Sequence, residues 1–81
     1  MGQQLKNIEL LTATAKRLKG LRVEKKLSQE TVFYDTNIHI ARIETGKLNI
    51  SISTLNAICE YYQVSLAEFF SIGFETSQTK S

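Results

Sequence analysis

Two stretches constrain this chain most: Leu27-Ser28-Gln29-Glu30, and Ile38-His39-Ile40-Ala41-Arg42-Ile43-Glu44-Thr45-Gly46-Lys47. Ser28 is placed to cap a helix that begins at Gln29, because its hydroxyl can accept a backbone N–H of the first turn. The second stretch carries Ile40 and Ile43 at helical spacing and stops at Gly46, a residue type that closes helices at the C′ position. Between the two, Asp35-Thr36-Asn37 all favour turns and caps. The pattern predicts two short helices that meet at a tight bend.

The remainder of the chain also reads as helix. There is no proline, and apolar residues recur at spacings of three and four without sustained alternation, which predicts an all-α fold. Leu5, Ile8, Leu11, Ala15, Leu18 and Arg22 fall on one face of a first helix that starts between residues 5 and 14 and runs to about Lys26. Gly20 inside that helix costs about 1 kcal/mol against alanine and reads as a site of close packing. The second helix runs from Gln29 to about Asp35, and the third carries Ile40 and Ile43 inward and ends at Gly46. Ser51 or Ser53 opens a fourth helix with Leu55, Ile58, Cys59 and Tyr62 inside and Tyr61 half exposed. Ser65-Leu66-Ala67-Glu68 has the form of a capping box and opens a short fifth helix with Leu66, Phe69 and Phe70. Residues 1–74 are read as one domain and residues 75–81 as a polar tail.

Composition narrows the function classes. With 81 residues and 42% hydrophobic content the chain makes one small domain with a modest core. Its apolar runs are too short to span a bilayer, and no basic-then-apolar leader opens it, so a soluble cytoplasmic protein with no membrane partner is expected. The single cysteine, Cys59, lies in an apolar run and reads as a core residue. One Cys and one His give no metal-ligand spacing. No nucleophile–base pair, carboxylate pair or glycine-rich phosphate loop is visible, so neither an enzyme, a cofactor nor a small-molecule ligand is expected. The net charge is only +2, yet Lys16, Arg17, Lys19, Arg22, Lys25 and Lys26 crowd one segment with Glu24 as its lone acid. Such a patch attracts phosphate backbones, though an ordinary solvated helix face has the same composition.

Five motifs occur in order: Leu18-Lys19-Gly20-Leu21-Arg22, Leu27-Ser28-Gln29-Glu30, Ile40-Ala41-Arg42-Ile43-Glu44-Thr45-Gly46-Lys47, Ser53-Thr54-Leu55, and Val64-Ser65-Leu66-Ala67-Glu68-Phe69-Phe70. With them, residues 16–70 resemble the lambda-repressor-like family, the phage repressor and Cro type of DNA-binding domain. The resemblance implies a five-helix helix-turn-helix domain whose third helix enters a major groove. Two departures stand out. The glycine-containing turn that usually ends the family's second helix is missing here, which predicts a shorter second helix or a tighter turn. Gln63 stands where the family often has a glycine.

The resemblance places Asn37, Ile38, His39 and Arg42 at base-reading positions, and helical geometry agrees that residues 38, 41, 42 and 45 point away from a core holding Ile40, Ile43 and Glu44. Arg42 is the leading base contact, since its fork matches both guanine acceptors, with a phosphate contact as the alternative. Asn37 suits adenine or a helix cap, Ile38 a thymine methyl or the core, and His39 a base or a phosphate. Gln29, in the first turn of the second helix, is placed to face a phosphate. Lys47 and Thr45 are further phosphate candidates. Arg22 and Glu44 match family residues that form a structural ion pair between the first and third helices. A glutamate on the DNA-facing side would be repelled by phosphates.

The reading that follows is a sequence-specific transcriptional regulator of the repressor type. It binds double-stranded DNA as a homodimer on a palindromic operator, with Phe69, Phe70, Ile72 and Phe74 as candidate dimer contacts. The alternative is a protein-interaction or antitoxin-like module of the same fold with weak or lost DNA binding. The low net charge, the shortened turn and apolar Ile38 favour that alternative.

Overall fold

The computed structural model describes residues 5–74. It contains α1 (Ile8–Glu24), α2 (Gln29–Thr36), α3 (Ile40–Ile43), α4 (Ile52–Tyr61) and α5 (Leu66–Phe70), with no strand among the described residues. The fold is all-α, as the spacing predicts. No helix is long and apolar enough to cross a membrane among the described residues. The polar tail assigned to 75–81 lies outside them.

Side-chain caps set where four of the helices begin. Asn7 accepts the N–H of Leu10 at 2.9 Å, so α1 starts at Ile8 within the window the stripe allowed. Ser28 caps α2 by accepting from Thr31, and Ser51 rather than Ser53 caps α4 by accepting from Thr54, both at 3.0 Å. Ser65 accepts from Glu68 at 3.0 Å while the Glu68 carboxylate accepts the Ser65 N–H at 2.9 Å, which completes the capping box of α5. Each such cap is worth about 1 kcal/mol.

The ends of α1 and α4 rely on residues other than glycine. α1 stops at Glu24, two residues short of Lys26, because Lys26 turns left-handed at φ 61°. Lys26 and Leu27 then donate back to Val23 and Arg22 at 2.9 and 3.1 Å. α4 ends the same way: Gln63 sits at φ 65°, and Gln63 and Val64 donate to Glu60 and Cys59 at 3.0 and 2.9 Å. A left-handed residue with a Cβ costs about 1–2 kcal/mol. In both motifs the next residue, Leu27 or Val64, packs against the core and offsets that cost.

The core is built from α1, α2, α3, α4 and α5 around Leu18, Val32, Ile40, Ile58, Cys59, Tyr62 and Phe69, all fully buried. The predicted α1 stripe holds from Leu11 onward but not before it. Leu5 is 90% and Ile8 56% exposed, because the other helices cover only the later turns of α1. Gly20 is exposed with open space around it, so it is not a packing position. Cys59 is buried, and burial pushes its thiol up, away from the reactive thiolate.

Two further ties shape the bundle. Arg17 donates from Nε to the Phe69 carbonyl at 2.9 Å and from Nη2 to the Glu68 carbonyl at 3.0 Å, and its guanidinium lies 5.8 Å from the Phe69 ring centre. It thereby satisfies the free carbonyls at the end of α5 and fixes that helix to α1. Tyr61 of α4, half-buried, donates to Asp35 of α2 at 2.5 Å. At the chain's far end Phe69 is buried, and Phe74 is half-buried against Phe69 and Phe70, with ring centres 5.6 and 4.8 Å away. Of the four candidate dimer contacts, only Phe70 and Ile72 are exposed.

The buried Tyr62 hydroxyl has no hydrogen-bond partner among the described residues, and burial pushes its phenol up to about 12. The folded state therefore holds this proton more tightly than the unfolded chain, whose tyrosine ionises near 10. That contribution is complete below pH 10 and is lost as pH rises from 10 towards 12, at roughly 1.4 kcal/mol per unit. Tyr62→Phe removes an unsatisfied hydroxyl, so it is expected to be neutral or stabilising at pH 7 and to flatten the alkaline loss. Urea melts at pH 7 and pH 11 check both expectations; a variant that is destabilised at neutral pH would show that the hydroxyl has a partner.

Candidate nucleic-acid interface

α2 and α3 are joined by a turn of three residues, 37–39, with no glycine. Asn37 takes the left-handed conformation at φ 63° and donates to the Phe33 carbonyl at 2.7 Å, closing α2. Asparagine tolerates this conformation better than other residues with a side chain. The Thr36 hydroxyl donates to the Val32 carbonyl at 2.7 Å and accepts the Ile38 N–H at 3.0 Å. His39, at φ −78° and ψ 73°, is the centre of an inverse γ-turn in which Ile40 donates to the Ile38 carbonyl at 2.8 Å. α2 runs to Thr36, one residue past its expected end, so the tight feature is the turn itself.

α3 itself is a single turn, Ile40–Ile43. It tightens beyond its end, with Thr45 donating to Arg42 at 3.3 Å and Gly46 to Ile43 at 3.1 Å. Gly46 is required by its backbone: its φ is 76°, where a side chain is strained, while a Cβ there would only come into ordinary contact with the Thr12 backbone of α1 at 3.4 Å. Ile40 and Ile43 face the core, which leaves Ala41 and Arg42 exposed on the outer side.

The position of α3 is set by a compact ionic network. Arg22 donates to Glu44 from Nε at 2.7 Å and from Nη2 at 3.0 Å, and from Nη1 to the Leu27 carbonyl at 2.8 Å. Gln29 adds a third donor to Glu44 at 2.9 Å. The Glu44 side chain is 4% exposed and that of Arg22 11%. The hydrogen bond to Glu44 pushes the Arg22 guanidinium up against the opposing effect of burial, which keeps the guanidinium charged. All three sites are thereby fixed: the end of α1, the start of α2 and the residue after α3. The acidic charge is turned away from the outer face of α3.

Each expected contact residue has a definite place. Arg42 and Lys47 are exposed, and neither makes an ion pair among the described residues. Thr45 is exposed, but its hydroxyl donates to the Arg42 carbonyl at 2.6 Å and accepts the Lys47 N–H at 3.3 Å, which shapes the loop. Asn37 is exposed and serves as the α2 cap, while His39 is exposed and stacked on Phe33 with ring centres 4.6 Å apart. Ile38 is half-buried and packs against the core. Gln29 is half-buried and commits its amide nitrogen to Glu44.

The basic patch is smaller than its sequence suggests. Arg17 and Arg22 turn inward to α5 and Glu44, while Lys16, Lys19, Lys25 and Lys26 remain exposed. Lys16 and Lys19 border an open groove of about 250 Å³ that also touches Thr45 and Gly46, beside the end of α3. This adjacency of α1 lysines and the loop after α3 has no signal in sequence spacing; it depends on how α1 crosses α3. Among the described residues no His, Cys, Asp and Glu side chains converge as metal ligands.

A helix-turn-helix family model matches residues 18–69, more than half of the chain. No curated protein and no solved structure matches. The chain belongs to the lambda-repressor-like helix-turn-helix family, a family of DNA-binding domains.

Removing one partner of a buried ion pair leaves the other charge stranded, which costs about 3–5 kcal/mol. Glu44→Ala and Arg22→Ala are each expected to destabilise the fold by an amount in or near that range, and the double change by less than their sum. Denaturant melts of the three variants check this; additive losses would show that the two side chains act independently.

Proposed function

We propose that this helix-turn-helix protein is a sequence-specific transcriptional regulator of the repressor type, which binds a palindromic operator as a homodimer. The observation that carries the reading is the α2–α3 unit, whose only acidic side chain near the α3 terminus, Glu44, is tied inward, while Arg42 stands free on the outside. A phosphate-lined groove meets Arg42 there, while the Glu44 carboxylate, which borders the adjoining groove, is held by Arg22 and Gln29. In this reading Arg42 reads a base pair, with Asn37 and His39 beside it at the start of α3. Lys47 holds the backbone, and Lys19, on the groove that Thr45 and Gly46 also line, adds a second cation. Thr45 contributes through the loop it orders. Gln29 acts through its amide bond to Glu44, and the first-turn N–H groups of α2 remain its route to a phosphate. Ile38 offers only the exposed part of a side chain that mainly fills the core.

The dimer follows from the size of the reader. A one-turn α3 reaches few base pairs, and two-fold repetition doubles the contact set. A second reading, a protein-interaction module with weakened DNA binding, is favoured by one observation: two of the six clustered cations, Arg17 and Arg22, are spent inside the protein. Selection of bound sequences from a random duplex pool separates the two. A recovered palindrome supports the regulator, and no enrichment above the input pool supports the interaction module.

Two substitutions test the assigned roles. Arg42→Ala is expected to cost about 1–3 kcal/mol on the selected site and to relax preference at one base pair of each half-site. Equal weakening on every sequence would mean that Arg42 holds only phosphate. Lys47→Ala is expected to weaken binding uniformly across sequences and to reduce the slope of log affinity against log salt by about 1. An unchanged slope in a salt titration would place Lys47 off the DNA.

A further inference from the structure

The face of α1 turned away from the core has an unusual order. Ile8, Glu9, Thr12, Ala13, Lys16 and Arg17 line an open groove of about 640 Å³, closed on one side by Ile72 and Gly73 after α5. Spacings of three and four put these six on one side of the helix. They are also arranged symmetrically about the point between Thr12 and Ala13. Ile8 mirrors Arg17, Glu9 mirrors Lys16, and the two small residues mirror each other. A surface with this order is complementary to itself under a two-fold rotation, which is the requirement for an isologous contact.

We propose that a second copy of this chain docks here, its α1 antiparallel to the first, with the two-fold axis crossing between Thr12 and Ala13. The inference rests on the homodimer reading above and names its interface. Glu9 of each copy meets Lys16 of the other, so one pair of residue types makes two equivalent ion pairs. Thr12 and Ala13 let the helix axes approach closely at the crossing. Ile8 of each copy lies over the aliphatic stem of the other copy's Arg17, whose guanidinium is already occupied by the α5 carbonyls. The exposure of Ile8, at 56%, and of Ile72, at 59%, is what such a partner covers.

Reversing charges tests the pairing without touching the core, since Glu9 and Lys16 are both exposed. Glu9→Lys puts like charges at both contacts of a homodimer, and so does Lys16→Glu. Each single variant is expected to raise the dimer dissociation constant about tenfold, because two attractions become two repulsions. The double variant Glu9→Lys with Lys16→Glu restores both pairs and the wild-type constant. Mixing the two single variants also restores both pairs, so the mixture is expected to dimerise where neither does alone. Sedimentation equilibrium in low salt measures all five samples, with far-UV circular dichroism confirming intact helices. A wild-type dimer that all variants leave unchanged overturns this interface while leaving the homodimer standing. A wild-type protein that is monomeric both free and on its selected DNA overturns the homodimer reading as well.

Discussion

The Glu44 carboxylate accepts three donors, two from Arg22 and one from Gln29, and Arg22 also reaches the Leu27 carbonyl. These bonds join three chain segments, the end of α1, the start of α2 and the residue after α3. A single-turn helix has almost no stability of its own, because nucleation is unfavourable and only one turn follows. What holds α3 in place is Ile40 and Ile43 beneath it and this ionic knot behind it. Two charges taken from water are costly unless every lone pair and N–H is used, and here most of them are. The same knot governs electrostatics. A carboxylate that would repel phosphates is consumed internally, and the exposed cations of α3 and its loop dominate the outer face.

The compact turn between α2 and α3 shows how a backbone problem is solved without glycine. Asn37 supplies the left-handed residue, the Thr36 hydroxyl accepts the N–H that would otherwise be stranded, and His39 bends the chain through a γ-turn. Each is a local hydrogen-bonding solution by a small polar side chain or by the backbone. The consequence for the site is direct. Asn37 and His39 have structural duties as well as exposed surface, whereas Arg42 has exposed surface alone.

The ends of the domain behave differently from its centre. Phe69 and Phe74 draw the segment after α5 back onto the body, and Arg17 pins α5 by its carbonyls. Phe70 and Ile72 stay outside, as do Leu5 and Ile8 at the start of α1. These apolar side chains lie beyond what five short helices can cover by themselves, because a small domain has limited core volume.

Much of the fold was legible in the chain itself. The serine caps, the capping box, the glycine at position 46 and the three-and-four spacing are local signals whose physics acts within a turn or two, so helices and their order follow from sequence alone. The outward placement of Arg42 follows too, because Ile40 and Ile43 fix the rotation of α3. What only the tertiary structure decided involves partners distant in sequence. That the Gln29 amide donates to Glu44, fifteen residues on, has no signal in the sequence. Arg17 reads as part of a basic patch until the α5 carbonyls, more than fifty residues away, capture it. Leu5 and Ile8 continue a hydrophobic stripe that the rest of the molecule is too small to meet. Periodicity determines which side of a helix is apolar, but which groups satisfy a long polar side chain depends on what the crossing of helices brings within 3 Å of it, and that is set by packing.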